Sequence, residues 1–186
     1  MDIKIVDGWK IRNTIDTDFS GWGTHADYPY IPLGEVWLDK FLKPERKLIL
    51  DLIKLERSMR GKSFRLIRAK AKKTLTLPKT SKPKILKMEK RGKYKVVYVD
   101  GAQVRSQDDP YFILGGHDLV YPYIPKNEIW IDTRSDEREW KYTLVHELHE
   151  RELMSKGMTY DNAHDFALAM ERMLRRQDGV AEFIRG

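Results

Sequence analysis

The chain of 186 residues contains no cysteine. That absence excludes disulfides, thiolate metal ligands and thiol nucleophiles, and it fits a reducing compartment. No apolar run is long enough to span a bilayer. The opening MDIKIVDGWK lacks the basic start and long apolar run of a signal peptide. These features predict a cytoplasmic protein with no membrane partner. Aromatic residues are missing between Phe64 and Tyr94. That gap coincides with the most basic part of the chain, so the segment has no rings on which single-stranded nucleic acid would stack. From Arg60 to Lys95 fifteen Lys and Arg face one acid, Glu89, a net +14; the rest of the chain carries −7 of the total +7. Hydrophobic residues make up 41% of the chain, enough for the core of one large domain or two small ones.

What is present is organised by an internal repeat. Residues 7–39 align with 100–132 at a constant offset of 93, and fourteen of the 33 positions are identical, among them Arg12/Arg105, Phe19/Phe112, the two YPYIP blocks and Trp37/Trp130. Similarity continues at an offset of 96 after a three-residue insertion, with Leu48, Leu52 and Gly61 matching Leu144, Leu148 and Gly157. Each copy reads as an apolar strand, an Asp-Gly turn and a second strand around Arg12 or Arg105. A long loop, a third strand (35–39 or 128–132) and a helical hairpin follow. The second copy gains a strand at 85–89. The expected fold is α+β, a tandem of β-β-β-α-α units. The first unit spans 1–73, TLTLPKTSKP at 74–83 is a linker, and the second unit spans 84–186.

The richest chemistry lies at 142–171, YTLVHELHERELMSKGMTYDNAHDFALAME. It reads as two helices joined at Gly157, with Thr159 capping the second. At about 100° per residue, His146, His149 and Glu150 share one arc of the first helix. Glu150 and His164 lie seven residues either side of Gly157, so an antiparallel pair sets them level. Three nitrogen and oxygen ligands then converge between the helices, as tetrahedral zinc requires, with a fourth position left for water. Glu147, pointing about 60° from Glu150, is placed to take a proton.

His146-Glu147-Leu148-His149-Glu150, followed by Ala163-His164, resembles a variant of the zincin metallopeptidase signature. The position four after His146 is Glu150 rather than a histidine. The resemblance covers about 30 residues of the second unit. It implies a zinc-dependent hydrolase acting on peptide bonds of a peptide or protein substrate. His146, Glu150 and His164 would be ligands, His149 would lie beside the metal, and Glu147 would be the general base. Two other readings compete. In one, the four ligands including His149 close a structural site in a non-enzymatic, metal-stabilised module. In the other, the basic centre at 60–95 binds nucleic acid or an acidic partner.

The first copy argues for a joint role of these residues. His146, His149, Glu150 and His164 are replaced there by Leu50, Ile53, Lys54 and Arg68, whereas YPYIP and the tryptophan strand recur and read as scaffold. His117, opposite Thr24, reads as a surface loop histidine or as a further group lining the site. Glu171 and Asp161 are placed to support a ligand rather than to bind metal. Lys54 and Arg68, level across the first hairpin, are expected to reach solvent, pair with Asp51, or meet an acidic partner.

Overall fold

The structure is a computed structural model and describes residues 2–182. It is an α+β fold with two mixed sheets. In the first unit strand β1 (Asp2–Val6) leads into helix α1 (Gly8–Thr14). Strands β2 (Trp22–Thr24) and β3 (Glu35–Asp39) follow, and helices α2 (Arg46–Ser58) and α3 (Phe64–Leu75) close the unit. The second unit opens with the extra strand β4 (Ile85–Arg91). It then repeats the series as β5 (Tyr94–Val99), α4 (Gly101–Gln107), β6 (Gly115–His117), β7 (Glu128–Asp132), α5 (Trp140–Ser155) and α6 (Tyr160–Gln177).

The strand orders are β1-β3-β2 and β4-β5-β7-β6. Registers recur at the sequence offset of 93. Asp2 to Val6 run parallel to Glu35 to Asp39, and Lys95 to Val99 run parallel to Glu128 to Asp132. Trp22 pairs antiparallel with Leu38 as Gly115 pairs with Ile131.

The segments around Arg12 and Arg105 are helices, not the second strands the sequence suggests. Asp7 and Asp100 are N-caps whose side chains accept the amides of Lys10 and Ala102. The glycines that follow do not make a left-handed turn. They leave room for a carboxylate, since a Cβ on Gly8 would fall 1.6 Å from Asp39 Oδ2, and one on Gly101 2.1 Å from the Asp132 carboxylate. Each short helix thereby begins the crossover between two parallel strands, β1 to β3 or β5 to β7, which a tight turn cannot make.

Alternation along the strands fills both faces of the second sheet. Tyr94, Val96 and Tyr98 pack with Ile129, Ile131 and Leu144 beneath α5. Val97 and Val99 face Val104, Phe112, Ile124 and Trp130 on the opposite side. In the first unit Ile49, Leu52, Ile53 and Ala71 of the hairpin cover Val36 and Leu38.

Two buried arginines stitch the units together. Arg12 binds Asp39 of its own unit (2.9 Å) and Glu139 of the other (2.6 Å). Arg105 binds Asp132 of its own unit (2.5 Å) and Glu45 of the other (2.6–2.8 Å). Glu45 and Glu139 are the residues immediately before α2 and α5. Each arginine also donates to a carbonyl within its own unit, that of Phe19 or of Phe112. No helix among the described residues is long and apolar enough to cross a membrane.

Candidate metal centre

Helix α5 stops at Ser155, two residues before Gly157, which adopts φ +95°; the Gly157 amide and that of Met158 return to the carbonyls of Met154 and Leu153. Thr159 occupies the N-cap position of α6 with extended backbone, but its side chain makes no capping bond. The turn sets the hairpin so that Glu150 faces His164, the Oε2–Nδ1 distance being 2.8 Å.

Three acceptor atoms meet at one point. His146 Nε2 lies 3.2 Å from His164 Nδ1 and 3.6 Å from Glu150 Oε2, which completes the triangle at 2.8 Å from His164 Nδ1. The outer atoms fix this orientation. His146 donates from Nδ1 to Glu171 Oε2 (3.0 Å), and His164 donates from Nε2 to Asp18 Oδ1 of the first unit (3.3 Å). With those protons in place the inner ring nitrogens present lone pairs to each other and to a carboxylate oxygen. Three lone pairs converging in a largely buried place repel one another unless a proton or a metal ion lies between them. In the metal-free protein protons take that part. Burial alone would lower the pKa of His146, but bonding to Glu150 and Glu171 outweighs it and lifts the group to about 10. His164 is raised to about 9 by Asp18 and Glu150 against the same desolvation. Glu150, although buried, is held far below the usual carboxylate range by His117, His146 and His164.

Glu150 is also held from behind. His117 is fully buried and not a surface loop histidine. Its Nδ1 accepts the Leu119 amide (3.2 Å), so its proton resides on Nε2 and is donated to Glu150 Oε1 (2.8 Å). His117, Glu147 and Glu150 form a second group with metal-ligand spacing. The tautomer argues against it, since Nε2 can bind a metal only by moving its proton to Nδ1, against the Leu119 N–H. His117 therefore orients the Glu150 carboxylate.

Glu147 lines the same cleft and has no hydrogen-bond or ion-pair partner among the described residues. Burial, reinforced by the charge of Glu150, pushes its pKa up to about 7. His149 is half-buried and belongs to neither cluster. Asp161 is exposed. Glu171 reaches His146 and is itself clamped by Arg175, which also bonds Asn13 (2.9 Å) and Glu139 (2.5 Å). A buried chain of charge thus runs from His146 through Glu171, Arg175 and Glu139 to Arg12.

The cluster opens on a cleft of about 660 Å³ between the units. One wall carries His146, Glu147, Glu150, Tyr160 and His164, with Tyr160 stacked on His164 (5.6 Å). The other, from the first unit, carries Asp18, Tyr28, Glu56, Phe64 and Arg68. Sequence reasoning missed Asp18, because it comes from the other copy. Lys54 and Arg68 do not face a shared ligand. Lys54 is exposed beside Asp51 (3.3 Å), and Arg68 binds Asp109 (2.6 Å) and covers the Tyr121 ring (4.7 Å). Much of the basic segment is similarly engaged, Lys79 with Asp108, Lys93 with Glu152 and Lys95 with Glu128. No protein-family model, curated protein or solved structure matches the chain.

Proposed function

We propose that the chain binds one divalent metal ion, zinc in the first place, through His146 Nε2, Glu150 Oε2 and His164 Nδ1, and that it is a hydrolase acting on peptide bonds. The observation that carries the metal is the triangle of lone pairs. Donors about 2.0–2.1 Å from a tetrahedral zinc lie about 3.3 Å apart, and the three separations here are 2.8, 3.2 and 3.6 Å. The carboxylates behind both imidazoles and the His117 proton behind Glu150 are the supports that such ligands use. A bound zinc supplies Lewis acidity, lowering the pKa of water and polarising a carbonyl.

The rest of the chemistry belongs to the chain. Glu147, at about pKa 7 and without a partner, is suited to take a proton from water at neutral pH and return it to a leaving amine. The cleft, with Tyr28, Phe64, Tyr111, Tyr121 and Tyr160 among its lining side chains, has the volume for a short segment of extended chain. That same opening supports catalysis over a closed structural site, since the cluster borders the cleft and His149 does not complete a fourth ligand.

Elemental analysis of the purified protein should give one zinc per chain, lost in a His146→Ala, His164→Ala variant. Glu147→Gln should keep the metal and abolish cleavage of a mixed peptide library. Metal retained in the double variant removes the ligand assignment. Cleavage undiminished in Glu147→Gln removes the base. Metal bound with no cleavage by the unsubstituted protein leaves the structural-module reading.

A further inference from the structure

The internal repeat contains its own picture of a bound cation. In the second unit the rings of Phe112, Tyr121, Tyr123 and Trp130 form a cluster. Arg68 covers Tyr121 at 4.7 Å and Lys72 covers Tyr123 at 5.3 Å. The Arg68 guanidinium is met by Asp109 Oδ2 at 2.6 Å, while Asp109 Oδ1 accepts the Tyr111 amide at 3.1 Å.

The first unit has the same parts. Phe19, Tyr28, Tyr30 and Trp37 form the corresponding cluster. Asp16 stands where Asp109 does, and its Oδ1 accepts the Asp18 amide at 2.9 Å as Asp109 accepts that of Tyr111. What differs is the helix above. The places of Arg68 and Lys72 are taken by His164, whose ring is turned to Glu150 and Asp18, and by Leu168. Among the described residues no cation lies over Tyr28 or Tyr30, and no Lys or Arg pairs with Asp16, Asp18, Asp27 or Glu56. Tyr28, Asp18, Asp27, Glu56 and Leu168 all line the cleft. Asp27 and Glu56 on this wall, and Asp16 beside it, thus pair with no Lys or Arg among the described residues, and Asp18 meets only the His164 imidazole.

We propose that this wall binds a basic side chain of the substrate, with its guanidinium or ammonium group over Tyr28, paired with Asp18 in the cleft and with Asp16, the counterpart of Asp109, at its edge. A cation over an aromatic face gains from the ring quadrupole, and a planar guanidinium adds a charge-assisted pair with a carboxylate. The substrate class is therefore a peptide with arginine or lysine close to the bond that is cut. This assignment rests on the hydrolase reading for its substrate, but the cation subsite does not need the metal.

The test is calorimetric, on the full chain in the Glu147→Gln background, with zinc and after chelation. Two acetylated, amidated tetrapeptides are compared that differ only in carrying arginine or norleucine. The arginine peptide should bind about tenfold tighter or better. Asp16→Asn, which keeps the side-chain shape, should remove most of that preference while leaving zinc content unchanged. Tyr28→Leu should do the same where it folds. Equal affinity for the two peptides in zinc-loaded protein overturns the inference and leaves the hydrolase reading standing. An arginine preference that persists without any zinc binding, and that Asp16→Asn abolishes, upholds the subsite and removes the hydrolase.

Discussion

Each imidazole in the centre is defined by the atom behind it. Glu171 and Asp18 hold the outer protons of His146 and His164, and only then do the inner lone pairs face Glu150. This sets a pH dependence with a definite sign. His146 and His164, raised to about 10 and about 9 in the metal-free protein, are both protonated at pH 7. Their contribution to metal-free stability is fully present below the ordinary histidine value of about 6.5. It is lost as pH rises through about 9 to 10. A metal must displace those protons, so its affinity moves the other way and strengthens over the same range. Denaturant titrations should therefore show the chelated protein losing stability between about pH 7 and 10. The difference between zinc-loaded and chelated protein should widen as pH rises. A difference that stays constant across that range would remove the protons from the centre.

The hairpin is tuned at two glycines with different duties. Gly157 has φ +95° and open space around its Cα, so Gly157→Ala carries only the left-handed backbone cost, about 1–2 kcal/mol. Gly115, in β6, is the closer approach. A Cβ there would lie 2.7 Å from Thr143 Cγ2 and 2.9 Å from the Trp130 carbonyl oxygen, with Glu147 Cγ at 3.4 Å. Gly115→Ala must push α5 away from the sheet, at about 1–3 kcal/mol. It should also weaken zinc binding, because His146 and Glu150 ride on that helix. Gly157→Ala should lower the melting temperature with little change in affinity. This contrast also marks what was legible in the sequence. The facing of Glu150 and His164 follows from counting residues about Gly157, a local rule. His117 could not be placed that way, since it meets Glu150 only because β6 pairs with β7 and passes close under α5. The Asp-Gly pairs were ambiguous for the same reason. A hairpin turn and a helix start share that signature, and the deciding neighbours, Asp39 and Asp132, lie 31 residues away. Asp18 joins the site from the other repeat, a contact that no spacing within one copy can reveal.

The two units are joined by equivalent seams, yet among the described residues only one seam leads to the candidate metal centre. Arg105 bonds Asp132, Glu45 and the Phe112 carbonyl, and its partner Glu45 carries the contact no further toward the cleft. Arg12 bonds Asp39, Glu139 and the Phe19 carbonyl. Glu139 then holds Arg175, which clamps Glu171 behind His146. Leu75, the last residue of α3, stands where α6 has Glu171, and the additional length of α6 provides Arg175, so this connection is confined to the copy that bears the histidines. Removing one partner of a buried ion pair strands the other charge and costs about 3–5 kcal/mol. Arg12→Met and Arg105→Met should therefore destabilise the zinc-loaded protein by similar amounts in denaturant titrations. Their effects on the metal should differ. In Arg12→Met the Glu139 carboxylate is left to Arg175 alone and draws it from Glu171, which loosens the outer support of His146. Loss of such a support lowers metal affinity by about 10- to 100-fold. Competition with a chromophoric chelator, at a denaturant-free pH of 7, should show that loss in Arg12→Met and near-unchanged affinity in Arg105→Met. Equal affinity in the two variants would mean that the chain of charge ends at the seam and that His146 is held by Glu171 without help from the rest of the molecule.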